Sequence, residues 1–398
     1  MGFLYFTSAV AKAFNKICTA GKFYSVAAIF NINIAAFCAS VIVAQFLVVS
    51  ECFAATDKSY NDATLAMIEG SRDSLQKLEK NIKNKNIDVN MKNDDGETTI
   101  MVATMFGNSE FVSYLISNGV NVNAANINGV TAIMIAAASN QVGILEILIK
   151  NGANVNAKTK EGKNAFFYAA DAGKLGSMKY MINHSKVDIN QRDGNRMTPL
   201  MTVCKRNMAD ISKYLVLNGA KMEDRNEDYA TPIIIATQNK AFDAAYVLID
   251  AGADIKAQDY KLRDSLSYAC ELGGLGITKK LILAGVNIDA QDQDEKTPLA
   301  YACSKNNQSI VEYLIKESAN VDIADKDRRT PLMHAANFGF VNVAVMLLNA
   351  GAKTEFKDKN GDTALSIAMM QGNFDVAKMI MLFVYKRNKD KRYKVVNK

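Results

Sequence analysis

From residue 93 onward one pattern of apolar and polar positions recurs. A compact apolar run of about seven residues opens each cycle, as in TIMVATM at 99–105. A polar turn follows. A second run then places apolar residues three and four apart, as in EFVSYLIS at 110–117, the spacing of a helix with one buried face. The cycle closes on a glycine (Gly119, Gly152, Gly219, Gly252, Gly285, Gly351), the residue best suited to a left-handed helix C-cap. Next comes an extended, turn-prone piece such as NVNAANING. Each cycle therefore predicts a short helix, a turn, a second helix and a protruding β-turn loop.

The start of each cycle carries the motif T-[P/A]-[L/I]-x-x-A. It reads TTIMVA at 98, TAIMIA at 131, TPLMTV at 198, TPIIIA at 231, TPLAYA at 297, TPLMHA at 330 and TALSIA at 363. Looser copies, NAFFYA at 164 and DSLSYA at 264, fill the gaps. Every step is 33 residues except the 34 between 164 and 198. The residue nine places after each Thr is of a turn type, from Gly107 and Asn140 to Gly339 and Gly372. The odd step coincides with MINHSKVDIN, where the preceding unit has LIKNGANVN. The extra residue is expected in a loop there, and His184 with it.

A period of 33 with this motif resembles the ankyrin repeat. The resemblance covers nine units over residues 93–385 and implies an all-α solenoid of helix-turn-helix units with protruding β-turn loops. The family's histidine is mostly replaced, by Met101, Met134, Met201 and Met333 among others. Residues 60–92 read as a degenerate N-terminal capping repeat, because an end unit must turn a polar side to water. The resemblance further implies a non-catalytic scaffold that binds a protein on its concave face, formed by turn tips and first helices. Mapped onto this chain, that face offers Met105 and Phe106 in the first unit and Lys205 and Arg206 in the fourth. It continues with Tyr260 and Arg263 in the sixth, Lys305 in the seventh, and Arg329 and Phe338 in the eighth. Aromatic and Arg side chains are the usual anchors of interfaces.

Ahead of the repeats lies a different pattern. No charge interrupts Phe23 to Ser50, 28 residues, and the most apolar core is FCASVIVAQFLVV at 37–49. Lys12, Lys16 and Lys22 precede it, and Glu51 and Asp57 follow. By the positive-inside tendency that asymmetry is expected to keep the N-terminus cytoplasmic and export the repeats. Residues 1–54 are expected to form a hydrophobic N-terminal helix that acts as a signal peptide, with cleavage after Ala54, or as an uncleaved transmembrane anchor. The repeats are then expected to be extracytoplasmic, in the periplasm or anchored at the inner membrane. A secreted effector acting on host proteins is the alternative. Residues 23–50 are the segment through which the chain would associate with a membrane.

The other end is apolar and then basic. The last helix is expected to run through VAKMIMLFVYKRNKDKRYK, part of Met379–Tyr385 sealing the stack and the rest packing on the tail. The tail, 386–398, holds seven Lys or Arg against one Asp. An apolar run followed by a basic one also suits anionic lipid.

Composition adds mainly exclusions. The chain is 49% hydrophobic with a net charge of +6, enough for a core and too little basic excess to suggest a nucleic-acid partner. Its two histidines, His184 and His334, support no multi-His metal site, and no phosphate-binding loop is present. No cofactor, metal or small-molecule substrate is expected. Cys204, Cys270 and Cys303 sit six residues after their unit's Thr, a slot that holds Ala in the second, third and eighth units. They read as buried free thiols that act as small hydrophobes.

Overall fold

The structure is a computed structural model and describes residues 63–64, 66–67, 72–84 and 87–396. The export segment expected at 1–54 and the cysteines Cys18, Cys38 and Cys52 lie outside the described residues.

The described chain is helical. A first helix, α1 (Arg72–Lys83), buries Leu78 and Ile82 and leaves Lys77, Lys80 and Lys83 in water. Nine pairs follow, each with a short inner helix and a longer outer one. They are α2 (Thr99–Met105) and α3 (Ser109–Ser117), α4 (Ala132–Ala138) and α5 (Val142–Lys150), and α6 (Ala165–Asp171) and α7 (Leu175–His184). Next come α8 (Pro199–Lys205) and α9 (Ala209–Leu217), α10 (Pro232–Gln238) and α11 (Phe242–Asp250), and α12 (Ser265–Leu272) and α13 (Leu275–Leu283). The last three pairs are α14 (Pro298–Ser304) and α15 (Gln308–Lys316), α16 (Pro331–Phe338) and α17 (Val341–Asn349), and α18 (Ala364–Met370) and α19 (Phe374–Val396). Among the described residues the extended pieces form only two isolated bridges, Lys92 with Thr98 and Ala125 with Thr131.

The motif explains the pairing. Its Thr, or Asn164 and Asp264 in the looser copies, is the inner helix's N-cap, and Pro199, Pro232, Pro298 and Pro331 occupy the first helical position. Proline is harmless there, since that N–H has no helical partner. Thr198 Oγ1 accepts from Met201 N at 3.2 Å, and Asp264 Oδ1 from Ser267 N at 2.8 Å. The slot where the family has histidine is core: Met101, Met134, Met201 and Met333 are all buried. In two units the methionine sulfur stands 3.4–3.5 Å from the N-cap N–H, Met201 at Thr198 and Met333 at Thr330.

Nine residues after the Thr, the chain reverses in a left-handed residue. All nine positions have φ between 56° and 82°, including Asn140, Asn207, Lys240 and Asn306. Ala103, Ala136, Ala169, Val203, Ala236, Ala269, Ala302, Ala335 and Ala368 lie five after the Thr and are fully buried. Side chains that small let neighbouring inner helices approach closely, as α8 and α10 or α14 and α16 do.

The chain divides into two compact units. One holds the described residues up to Lys160 together with Gly176–Lys186; the other holds Glu161–Leu175 and everything from Val187 on. In the first, Ile100, Phe111, Leu115, Ile133, Leu145 and Leu148 form the core. In the second, Leu200, Leu215, Ile233, Leu248, Leu266, Leu281, Leu299, Leu314 and Leu332 repeat the same positions.

Two expectations change. The extra residue of the 34-residue step is not in a loop: α7 has ten residues where the other internal outer helices have nine. No glycine stops it, and Ser185 Oγ closes the helix by donating to Met181 O at 2.6 Å. His184 is therefore the last helical residue, its ring stacked on Tyr180 at 4.3 Å. At the C-terminal end, α19 continues straight into the basic residues instead of folding back. Val376, Ala377 and Ile380 seal the last pair, while Met381, Leu382 and Tyr385 stay exposed.

Candidate functional site

The protruding loops are built on a side chain five residues before each Thr. In most units it is Asn or Asp, and one oxygen accepts two backbone N–H groups of the turn. Asp259 Oδ1 accepts from Lys261 N and Arg263 N at 2.9 and 3.0 Å; Asp193, Asn126, Asp292, Asp325 and Asp358 do the same. Such Asx turns rigidify a loop without a sheet. Tips of successive loops are then joined by backbone hydrogen bonds. Within the second compact unit Tyr260 N donates to Asp228 O, Gln293 N to Lys261 O and Lys326 N to Asp294 O, at 2.8–2.9 Å.

The residue two before each Thr is left-handed in all nine loops. It is glycine in four of them, Gly96, Gly129, Gly162 and Gly361. In the five loops between, it is Arg196, Tyr229, Leu262, Glu295 and Arg328, with φ of 58–60°. A side chain there costs backbone energy that glycine avoids. Tyr229 and Leu262, with Tyr260 beside them, nonetheless keep 56, 50 and 54% of their surface exposed. They line a groove of about 510 Å³ with Arg225, Asp254, Lys256 and Gln258. A second groove, about 400 Å³, is lined by Lys163, Phe167, Asp171, Met197, Lys205 and Arg206.

The residues predicted from the sequence fall into two groups. Met105 and Phe106 at the end of α2 are exposed, as are Lys205, Tyr260, Lys305 and Phe338. Phe338 lies against Phe340, ring centroids 5.7 Å apart. Arg206 reaches Asp171 at 3.3 Å, and Arg329 Nε reaches the buried Asp358 at 3.4 Å. Arg263 is occupied internally. Its guanidinium lies between the rings of Tyr268 and Tyr301, 3.9 and 4.1 Å from their centroids, and pairs with Glu271 at 2.5 Å. Only 12% of its side chain is exposed. Burial opposes its charge, but the Glu271 carboxylate and the flanking phenols outweigh this and raise its pKa.

This arrangement belongs to a latch that sequence reasoning missed. The residue four after the Thr, on the inner helix, bonds the second oxygen of the turn Asp. Tyr268 Oη donates to Asp259 Oδ2 at 2.5 Å, Tyr301 Oη donates to Asp292, and His334 Nε2 lies 2.8 Å from Asp325 Oδ2. Burial, and then the neighbouring carboxylate, push Tyr268 up to about 12. Tyr301 moves the same way. For Asp325, burial pushes the carboxyl up, while the His334 imidazole and the backbone N–H groups of Arg329 and Asp327 pull it down further.

The exposed tips Tyr229 and Leu262 were also missed. Their signal was present, since each occupies a slot that is glycine in the first three units. Cys204, Cys270 and Cys303 are fully buried free thiols. Burial pushes Cys204 up to about 12 and raises the other two as well. Among the described residues no three potential metal ligands cluster.

Comparison with known proteins agrees with the repeat reading. The profile "Ankyrin repeats (3 copies)" matches residues 63–159, 166–259, 266–358 and 319–392, most of the chain. No curated protein sequence matches. Among solved structures, the human ASB11 ankyrin repeat domain is similar at 28% identity and a TM-score of 0.47, over 52% of this chain and 92% of that one. Ankyrin repeats are in general protein–protein interaction modules and typically non-catalytic, and no enzyme family is indicated. By its period, its capped helix pairs and the profile match over most of its length, the chain belongs to the ankyrin repeat family.

Proposed function

We propose that this chain is a non-catalytic scaffold that holds a partner protein on the face made by its turn tips and inner helices. The contact centres on Tyr229, Tyr260 and Leu262. The observation that carries this reading is the placement of Tyr229 and Leu262 on left-handed backbone, half exposed, where four sister loops use glycine. They cost folding energy and bury little in return, so a benefit outside folding accounts for them. Arg225 and Lys256 at the groove edge supply a polar rim.

The test is a photo-activatable aromatic residue placed at Tyr260 of the full chain and, as a control, at the exposed Leu217 on α9. A discrete adduct is expected at position 260 and not at 217. Tyr229→Gly with Leu262→Gly should abolish it while raising stability by about 0.5–1 kcal/mol per site, because the left-handed strain is relieved. The same adducts at both positions, or adducts indifferent to the two glycines, would sink the reading.

The scaffold is, in this proposal, extracytoplasmic. The support is the uncharged stretch Phe23–Ser50 with lysines before it and acids after it. A mature chain that begins at Ala55 would exclude a retained transmembrane anchor, and one that begins at the N-terminus would exclude cleavage.

A further inference from the structure

The last repeat ends unlike the others. Every internal outer helix except α7 stops at a left-handed residue 21 places after the Thr: Gly119, Gly152, Gly219, Gly252, Gly285, Ser318 and Gly351. In the last repeat that place is Val384, and α19 runs on past it to Val396, 23 residues in all. Its inner side does the work of an ordinary outer helix, with Val376, Ala377 and Ile380 buried. The remainder of the end is apolar and uncovered. Met369 occupies the slot that is buried Thr, Ala or Cys in every other unit, and it is exposed. Met370, Phe374, Met381, Leu382 and Tyr385 are exposed too, Phe374 and Tyr385 by about two-thirds.

A cluster of exposed large apolar side chains at one end of a fold marks a contact surface. Charge selects the occupant. Lys378, Lys386 and Arg387 are exposed beside the patch, and residues 389–398 add five more Lys or Arg against one Asp. A second copy would bring the same positive charges against these. An anionic lipid surface offers the complementary sign and an apolar layer for Met, Phe, Leu and Tyr. Among the described residues no helix is long and apolar enough to cross a membrane, so α19 would lie on the surface.

We infer that the end face of the last repeat, with the basic extension of α19, docks on an anionic lipid bilayer. The chain contains no tryptophan, so Tyr385→Trp in the full chain gives a single local reporter. Its emission should shift to the blue on adding vesicles that contain phosphatidylglycerol and stay put with pure phosphatidylcholine. Adding Lys386→Gln and Arg387→Gln should raise the lipid needed for half the shift on the order of tenfold, while the thermal midpoint stays unchanged. Insertion of residues 23–50 would be indifferent to those two charges. No shift with anionic vesicles, or an equal shift with phosphatidylcholine, overturns the inference. So does a lipid-free shift that rises with protein concentration alongside a dimer in sedimentation, which would assign the face to a second copy.

Discussion

Asp325 shows how one residue serves two structures. One carboxylate oxygen holds the turn through Asp327 N and Arg329 N, and the other meets His334 on the inner helix of the same repeat. The carboxyl is 5% exposed and its pKa is lowered. A depressed carboxyl stabilises the fold above its unfolded pKa of about 3.9, and that stability is lost as pH falls through the folded value. Asp325→Asn should therefore cost about 1.5–3 kcal/mol at pH 7, the usual worth of hydrogen bonds to a charged group. The deficit against the unmodified chain should shrink on acidification below about pH 4. Thermal unfolding of both chains across pH checks this. A deficit that is the same at acid and neutral pH would mean that the ionised carboxylate contributes nothing beyond what an amide supplies.

At the scale of the element, the contrast between α17 and α19 isolates what stops a helix here. Both follow the same inner-helix motif, and both bury apolar residues at equivalent places, Val343, Ala344 and Leu347 against Val376, Ala377 and Ile380. They differ where Gly351, with φ of 93°, is replaced by Val384. Just beyond that point Tyr385, Lys386 and Arg387 are exposed, and a helical segment of this length is marginal by itself. A glycine in a helix interior costs about 1 kcal/mol, so Val384→Gly should melt the extension. Amide exchange at Tyr385–Val396 should become immediate, while Val376, Ala377 and Ile380 stay protected. Unchanged protection past residue 384 would show that contacts, not helix propensity, hold the extension. The stop signals were legible in the sequence, since the closing glycines and the turn residue nine after each Thr recur by simple alignment of the units. Packing across units was less so. Arg263 reads as an exposed anchor by position, and only the stacking of α12 on α14 brings Tyr268 and Tyr301 to either side of it. Linear periodicity reports which face a residue is on; it does not report what the next unit places over that face. The missed residues Tyr229 and Leu262 were concealed differently, because a loop slot is judged by residue type until its φ is known.

Across the whole molecule, a repeat array holds together by contacts between sequence neighbours, so weakening one unit should release the chain from that unit to the nearer end. Within the second compact unit this is measurable at its own cysteines. Cys204 on α8, Cys270 on α12 and Cys303 on α14 are fully buried, and burial raises each thiol's pKa, so none should react until its repeat opens. Leu314 on α15 belongs to the same repeat as Cys303 and is also fully buried. Leu314→Ala should cost about 2–5 kcal/mol through the cavity it leaves. If coupling runs between neighbours, the variant's α14–α19 segment opens first. Thiol labelling, read at each cysteine by mass spectrometry along a denaturant series, should then report Cys303 at lower denaturant than Cys204. Cys270, one repeat from the lesion, should fall between them. Three labelling midpoints that shift together by the same amount would instead mean that these repeats open as one block. The tip-to-tip hydrogen bonds and the Arg263 stack would then be strong enough to spread a local loss over the whole stretch.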